Sequence, residues 1–145
     1  MEFATGGDIY ERTRESYDKR FTVEESKRVT RMVADALSYL HKNGITHRDL
    51  KAENVLYYSP GPSRVLISDF GFASLRGPDS VLSTYCGTRE YLSPELTSKK
   101  KYTNKVDVWA LGCLVYFMLS GWLPWMGEDV ADRVCKVKHS YSNKV

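Results

Sequence analysis

The chain has 145 residues, of which 42% are hydrophobic and 12% aromatic, a size that supports one buried core and one compact domain. Its 21 basic and 18 acidic side chains leave a formal net charge of only +3, and this balance argues against nucleic acid as a partner. No stretch reaches the roughly 18 uncharged apolar residues of a membrane span, and the N-terminus lacks the apolar core of a signal peptide. The cysteines are odd in number and far apart, which favours a reduced, intracellular, soluble protein: Cys86, Cys113 and Cys135.

The first predicted element is a long amphipathic helix. Thr22 and Glu25 have the spacing of a capping box, and apolar residues recur at helical spacing until Asn43 and Gly44 provide a stop. The polar stretch HRDLKAEN, residues 47–54, follows and gathers several charged and amide side chains. After it, NVLYY and RVLIS are β-prone runs joined by SPGPS, and they predict a short hairpin.

The second half of the chain changes character twice. Residues 71–96 lose all periodicity and are rich in Gly, Ser, Thr and Tyr, which predicts a long structureless loop with a function. Residues 106–120 are apolar on every side but too short for a bilayer, so they predict a buried central helix. A weaker helical pattern covers about residues 129–138, with Val130, Val134 and Val137 on one side.

Four motifs occur in a fixed order along the chain: HRDLKAEN, DFG, CGTREYLSPE and DVWALG. In this order they resemble the C-terminal lobe of a eukaryotic protein kinase. The runs YYSPGPSRVLISDFG and KYTNKVDVWALG are most similar to the protein serine kinase H group, near the calcium/calmodulin-dependent kinases. The resemblance implies that residues 1–145 form a partial kinase domain, running from the hinge through the helix after the central buried helix. This fold would be mainly α, a partial large lobe with a small β-hairpin at the active site.

The resemblance also implies phosphoryl transfer from ATP, a reaction in which positioning and electrostatic stabilisation supply most of the rate. Asp49 would accept the proton of the substrate hydroxyl, and Lys51 would point toward the transferred phosphate. Asn54 and Asp69 would offer an amide oxygen and a carboxylate to Mg²⁺, a hard cation that prefers oxygen ligands. The alternative is that these side chains are solvated charges of a loop. This alternative explains any one of them well, but it does not explain why all of them occur together.

Further residues take roles from the same resemblance. Lys51 together with Thr88 matches the serine/threonine pattern, so Ser and Thr hydroxyls of proteins are the implied substrates. Arg48 is at the position that in many kinases binds a phosphate of the activation segment, and Thr84 is at the position of that phosphothreonine. A salt bridge of Arg48 with no regulatory role is the alternative. Other modifiable hydroxyls lie nearby: Ser80, Ser83 and Tyr85.

The run MEFATGGD, residues 1–8, resembles the kinase hinge and the turn after it. On this matching, backbone groups of Glu2 and Ala4 would meet the adenine edge, Asp8 the ribose and Leu56 the adenine face. An ordinary exposed terminus is the alternative.

The expected peptide substrate is basic. Glu53, which also counts among the implied nucleotide-side residues, and Asp8 resemble the acids that in basophilic kinases meet arginines before the phosphoacceptor. Phe117 stands where some of those kinases have another acid, so we expect a partial preference.

Some parts that the resemblance would require are not found in the 145 residues. They are a Gly-rich phosphate loop, a strand lysine and a helix glutamate, so the small lobe is expected to be absent and the chain alone inactive. The last helices are expected to be absent too, which would leave Glu95 without the arginine that the family provides. Arg89 in place of proline and Ser93 in place of alanine depart from the family where the peptide would dock. Two functions stay open: a serine/threonine kinase with an incomplete sequence, and a catalytically silent kinase-derived binding module.

Overall fold

A computed structural model describes residues 3–77 and 80–136. Its helices and strands are, in chain order, α1 (Ile9–Glu15), α2 (Val23–Lys42), β1 (Ile45–Thr46), β2 (Val55–Tyr57), β3 (Val65–Ile67), β4 (Ser74–Leu75), α3 (Pro94–Thr97), α4 (Lys105–Ser120) and α5 (Val130–Cys135). Single turns of 3-10 helix lie at Ala52–Asn54, Phe70–Phe72 and Arg89–Tyr91. The prediction of a mainly α fold with small strands is confirmed. In the described part, none of the helices combines the length and the apolar character needed to cross a membrane.

Helix α2 begins where the sequence predicts, but its capping box is only half formed. Thr22 Oγ1 accepts a hydrogen bond from Glu25 N at 3.2 Å. The Glu25 carboxylate instead binds the Arg28 guanidinium at 2.6 Å and accepts a hydrogen bond from Tyr57 Oη at 2.7 Å. The predicted reciprocal box is therefore wrong, because a guanidinium and a phenol are stronger partners for Glu25 than one backbone amide.

Helix α4 packs against α2, but it is not buried on every side as predicted. Leu114 is fully buried, and Trp109 is half-buried and stacks on Trp125 with ring centroids 4.9 Å apart. Val108 is 51% exposed and Leu119 is 39% exposed, so part of the helix surface faces solvent. The helix is apolar on its buried and exposed sides alike, so hydrophobic periodicity could not distinguish them.

The strands form two small antiparallel pairs that bracket the polar stretch at residues 47–54. Strands β2 and β3 make the predicted hairpin, with Leu56 opposite Leu66. Strands β1 and β4 pair with Ile45 opposite Leu75. The residues just before β2 and just after β3 are thereby brought side by side.

Residues 71–96 are not the structureless loop that the sequence predicts. They contain β4, a 3-10 turn and α3. Leu82 also pairs with Tyr102 through two backbone hydrogen bonds of 2.8 and 3.0 Å. A second buried cluster fixes this segment: Leu82, Leu92, Leu96, Tyr102 and Val106. Elements this short leave no periodic signal in the sequence.

The two ends of the described chain also differ from the predictions. Helix α5 covers Val130–Cys135, shorter than the predicted helix, and Val137 lies outside the described residues. Helix α1 was not predicted, although Asp8 and Glu11 form a complete capping box at its start. This spacing of an acid three residues before a glutamate is the signal that could have revealed the helix.

Candidate active site

The polar stretch at residues 47–54 lies between β1 and β2 and forms a loop held by buried groups. His47 is fully buried; its Nε2 donates to Ser68 O at 2.9 Å, and its Nδ1 accepts from Asp49 N at 3.3 Å. The imidazole also meets the edge of Phe70, with ring centroids 5.0 Å apart. His47 therefore links residues 47–54, named the catalytic loop after their predicted role, to the segment that carries Asp69.

Asp107, in the first turn of α4, holds the backbone of the catalytic loop from below. Its carboxylate is 1% exposed and accepts hydrogen bonds from His47 N at 2.9 Å and Arg48 N at 2.8 Å. His41 Nε2, at the end of α2, lies 2.8 Å from the same carboxylate. Arg48 adopts a left-handed conformation with φ of 70°, and these bonds fix it there.

Asp49 is buried and forms a compact cluster with Lys51 and Thr88. Lys51 Nζ lies 3.2 Å from Asp49 Oδ2, and Thr88 Oγ1 donates to Asp49 Oδ1 at 2.7 Å. Lys51 Nζ also donates to Thr88 Oγ1 at 3.2 Å. The structure thus brings together a carboxylate, an ammonium and a hydroxyl that are up to 39 residues apart in sequence. A carboxylate and a cation side by side are suited to a reaction that moves a proton and a phosphate.

Asn54 is held against Asp49, with its amide nitrogen as the donor. Its Nδ2 donates to Asp49 O at 2.8 Å and to Asp49 Oδ2 at 3.3 Å. The amide oxygen makes no hydrogen bond among the described residues, so it is available as a metal ligand. Ser68 N and Ser68 Oγ both donate to Asn54 O, at 2.8 and 3.1 Å, which places Asp69 in the next position along the chain.

Asp69 is exposed and lies in the left-handed region, with φ of 58°, and one carboxylate oxygen accepts from Gly71 N. Asn54 and Asp69 fit Mg²⁺ by chemistry, because this ion is held in proteins by one or two carboxylates, with substrate phosphates and waters completing its shell. The described residues contain no cluster of three or more His, Cys, Asp or Glu side chains that could hold a metal without a substrate.

The predicted nucleotide floor is built from residues 4–8 and strand β2. Asp8 and Leu56 pair in an antiparallel bridge, and neither backbone group of Ala4 is bonded within the described part of the chain. Glu2 lies outside the described residues. Asp8 has a role that the sequence analysis missed, since its carboxylate caps helix α1 by accepting from Glu11 N at 2.8 Å. Partial burial raises the pKa of Asp8.

Arg48 reaches toward the activation segment through a tyrosine. Its Nε donates to Phe72 O at 2.5 Å, and its Nη1 donates to Tyr102 Oη at 3.3 Å. Tyr102 Oη in turn donates to Thr84 O at 2.6 Å. Burial raises the pKa of Tyr102, so the hydroxyl stays a neutral donor. The side chain of Thr84 is exposed.

The positions expected to dock a peptide differ in their exposure to solvent. Glu53 is exposed, whereas Phe117 is buried and stacks on Tyr10 with ring centroids 5.7 Å apart. The two departures from the family pattern have local partners: Ser93 Oγ caps helix α3, and Arg89 donates to Glu128 O.

Glu95, also in this region, is half-buried and forms no ion pair within residues 3–77 and 80–136.

The sequence of residues 1–144 matches a family model described as the protein kinase domain. The chain belongs to the protein kinase family, as the order of its motifs predicted. It is 46% identical over 150 residues to serine/threonine-protein kinase H1 of Homo sapiens, covering 99% of this chain and 35% of that protein. Serine/threonine-protein kinase H2 of Homo sapiens is 43% identical over 150 residues, covering 99% of this chain and 38% of that protein. The chain spans about a third of the length of the H1 relatives.

A more distant relative is calcium/calmodulin-dependent protein kinase type 1 of Macrobrachium nipponense. It is 37% identical over 138 residues, which cover 94% of this chain and 39% of that protein. The predicted likeness to the H group, near the calcium/calmodulin-dependent kinases, is therefore confirmed.

Sequence reasoning missed the residues that support the site. Asp107, His41 and Tyr102 were given no role. Asp107 and Tyr102 contact the catalytic loop through their side chains, and His41 contacts Asp107. Asp107 had a visible signal, because it is an acid inside an otherwise apolar helix. His41 and Tyr102 had none, since their partners are 66 and 54 residues away.

Proposed function

We propose that this chain is the catalytic lobe of a serine/threonine protein kinase, which transfers the γ-phosphate of ATP to Ser and Thr hydroxyls of proteins. The observation that carries the proposal is the cluster in which the buried Asp49 contacts the half-buried Lys51 and Thr88, with Asn54 bonded to Asp49. Similarity to serine/threonine-protein kinases H1 and H2 supports the same conclusion.

The chemistry follows from the placement of these groups. The substrate hydroxyl oxygen forms a bond to the γ-phosphorus while the bond to the β,γ-bridging oxygen breaks and ADP leaves. Asp49 orients the hydroxyl and accepts its proton, and Thr88 holds the Asp49 carboxylate in place by donating to Oδ1. Lys51 stabilises negative charge on the transferred phosphate oxygens.

Asn54 and Asp69 would hold Mg²⁺, which neutralises phosphate charge when it is bound. Ala4, Asp8 and Leu56 would form the floor under the adenine and ribose. The position of Asp69 relative to Asn54 is set by the two Ser68 hydrogen bonds rather than by a bond of its own.

The test uses the full-length gene product that contains these residues. Transfer of labelled phosphate from ATP to a Ser-containing peptide is expected, and Asp49→Asn is expected to reduce the rate by at least about a hundredfold, the range of a lost general base. Thr88→Ala is expected to lower the rate less, because it removes the support and not the acceptor. Loss of transfer with retained peptide binding would instead favour a catalytically silent binding module.

We also propose that the preferred peptides are basic before the phosphoacceptor. Glu53 is exposed and forms no ion pair in the described part of the chain, so its carboxylate can bind a peptide guanidinium. One carboxylate oxygen of Asp8 already caps helix α1, so Asp8 is expected to bind a peptide guanidinium less strongly than Glu53. A peptide array on the full-length gene product should show faster transfer to arginine-containing peptides, reduced in Glu53→Gln. Equal rates for acidic and basic peptides would contradict this preference.

We also propose an intracellular location, because the three cysteines are free thiols in the structure, as is usual in a reducing compartment. Cell fractionation with an antibody against residues 3–77 would test it.

A further inference from the structure

One arginine outside the catalytic cluster joins residues 5–8 of the nucleotide floor to the turn after β2. Arg12, in helix α1, donates from Nε to Gly6 O at 2.7 Å, from Nη1 to Gly61 O at 2.8 Å and from Nη2 to Ser59 O at 3.1 Å. Its guanidinium carbon also lies 3.6 Å from the centroid of the Tyr57 ring. Planar stacking and a fork of donors are properties that lysine cannot reproduce.

Gly6, one acceptor of Arg12, belongs to the first strand-like segment of the floor, and the other two, Ser59 and Gly61, lie in the turn after β2. Residues 5–7 pair with β2 through Thr5 N to Tyr58 O at 3.1 Å, Gly6 N to Tyr57 O at 3.0 Å and Tyr57 N to Gly7 O at 2.9 Å. Gly6 is packed so closely that a Cβ there would collide with Ser59 O. This pairing of only a few residues has an exposed outer side, so it needs further support to stay closed.

We propose that Arg12 is a positioning residue for ATP, which fixes residues 5–8 against β2 and the turn after it. The inference rests on the proposed kinase function and adds a residue to it. Asp8 lies two positions from Gly6, whose carbonyl Arg12 binds, and Leu56 is next to Tyr57, whose ring lies against the guanidinium. The separation of the paired Asp8 and Leu56 therefore depends on this clamp. Loosening it would cost binding of the adenosine part of ATP in ground and transition state alike, which raises KM and leaves kcat nearly unchanged.

The chain provides a matched control in Arg28 of helix α2. Arg28 also binds the turn between β2 and β3, donating to Ser63 O at 2.7 Å, and it is held by Glu25. Its guanidinium carbon lies 5.9 Å from the Tyr57 ring centroid, and it makes no contact with residues 5–8 within the described chain. Arg28 is therefore an arginine that supports the same hairpin without a link to residues 5–8 in the described chain.

The experiment compares Arg12→Lys with Arg28→Lys in the full-length gene product. For Arg12→Lys we expect KM for ATP to rise about five- to tenfold, the effect of losing one or two hydrogen bonds, with kcat changed less than about twofold. Arg28→Lys should leave KM for ATP within about twofold of the unmodified enzyme. The equilibrium Kd for ADP, measured by titration, should follow KM in both variants.

A structural measurement complements the kinetics. Amide hydrogen exchange at Thr5 and Gly6 should become faster in Arg12→Lys and stay unchanged in Arg28→Lys, since only Arg12 closes that pairing. If Arg12→Lys does not fold, Arg12→Gln, which keeps a donor for one carbonyl, is measured in the same way.

The outcomes separate the two proposals. Equal KM and Kd values in the Arg12 and Arg28 variants, or a fall in kcat alone, would overturn the clamp. An unmodified enzyme whose phosphate transfer is absent, or is unaffected by Asp49→Asn, would overturn the kinase function instead.

Discussion

Asp107 binds the backbone of the catalytic loop through both of its carboxylate oxygens. Oδ1 accepts from Arg48 N, and Oδ2 accepts from His47 N while lying 2.8 Å from His41 Nε2. All of this takes place at a side chain that is 1% exposed, where an unmatched donor cannot turn to water. A buried side chain of α4 therefore fixes the backbone immediately before Asp49.

We expect Asp107→Asn to lower the free energy of unfolding by about 2–4 kcal/mol, because its amide nitrogen would face a donor and leave at least one buried group unpaired. Urea unfolding of the full-length gene product, followed by tryptophan fluorescence, measures the change. Asp35→Asn, at an exposed position on α2, is the control and should stay within about 0.5 kcal/mol. Overlapping unfolding curves for the two variants would show that the carboxylate is not needed.

Tyr102 connects Arg48 to the backbone of Thr84, so the arginine is held in place without a phosphate. In a Thr84→Ala background we expect Tyr102→Phe to lower kcat about fivefold, because the ring stays in the core while the hydroxyl bridge is lost. With Thr84 phosphorylated the loss should be smaller, since a phosphate can bind the guanidinium directly. Steady-state rates of the two forms test this, and an identical loss in both would contradict it.

At the scale of elements, the turn after helix α2 is packed against the residue that follows strand β4. Gly44 has a φ of 72° and exchanges backbone contacts with Arg76, whose N donates to Gly44 O at 2.8 Å. A Cβ at this position would collide with Arg76 O. The close approach keeps β1 and β4 paired beside the catalytic loop.

Gly44→Ala should therefore destabilise the protein by more than its backbone conformation alone requires. Gly127 provides the comparison, because its φ is 96° and a Cβ there would meet nothing within 4 Å. We expect the Gly44 variant to lose at least about 2 kcal/mol more than Gly127→Ala, since only the former adds overpacking to the left-handed penalty of about 1–2 kcal/mol. Thermal unfolding midpoints measure the difference, and equal shifts would argue against the packing contact.

Long elements, which show several repeats of a hydrophobic pattern, could be predicted from the sequence, and short elements could not. Helix α2 and the β2–β3 hairpin follow from apolar spacing and turn residues, and the structure places both within a few residues of the prediction. Helix α3 and strand β4 have four and two residues, too few to show a period. Helix α3 contributes Leu96 to the buried cluster around Tyr102, and β4 is held by its pairing with β1. The candidate site residues were predicted from their motif, whereas the residues that contact them are distant in sequence and are revealed only by the folded chain.

At the scale of the whole molecule, several large apolar side chains of the described part are exposed to solvent. They are Phe70, Phe72, Val108, Leu119, Trp122 and Met126. Two of them, Val108 and Leu119, belong to the central helix, whose other side forms the core. Exposed apolar surface of this kind promotes association in water.

We predict that a polypeptide of these 145 residues, produced alone, self-associates and transfers no measurable phosphate. In this polypeptide the triphosphate would be held by Lys51 and the Mg²⁺ ligands, without a Gly-rich loop or a second lysine from a strand. Most of the rate of phosphoryl transfer depends on positioning, which would be poor here. Light scattering after size exclusion and a labelled-ATP assay provide the measurements. Activity abolished by Asp49→Asn in this polypeptide would contradict the prediction.

The double substitution Val108→Lys, Leu119→Lys should reduce association without restoring transfer. Unchanged self-association in this variant would show that the polypeptide associates through other residues.

The left-handed turn at Arg48 is locked by Asp107 before any nucleotide or peptide arrives. Its conformational penalty, on the order of 1–3 kcal/mol, is met during folding by the core of the lobe. The catalytic loop is in this sense preorganised: on the proposed function, a substrate would meet Asp49 already in position and would not have to bend the loop. Substitutions at exposed positions such as Glu53 would then change which peptides bind and leave the geometry of Asp49 unchanged.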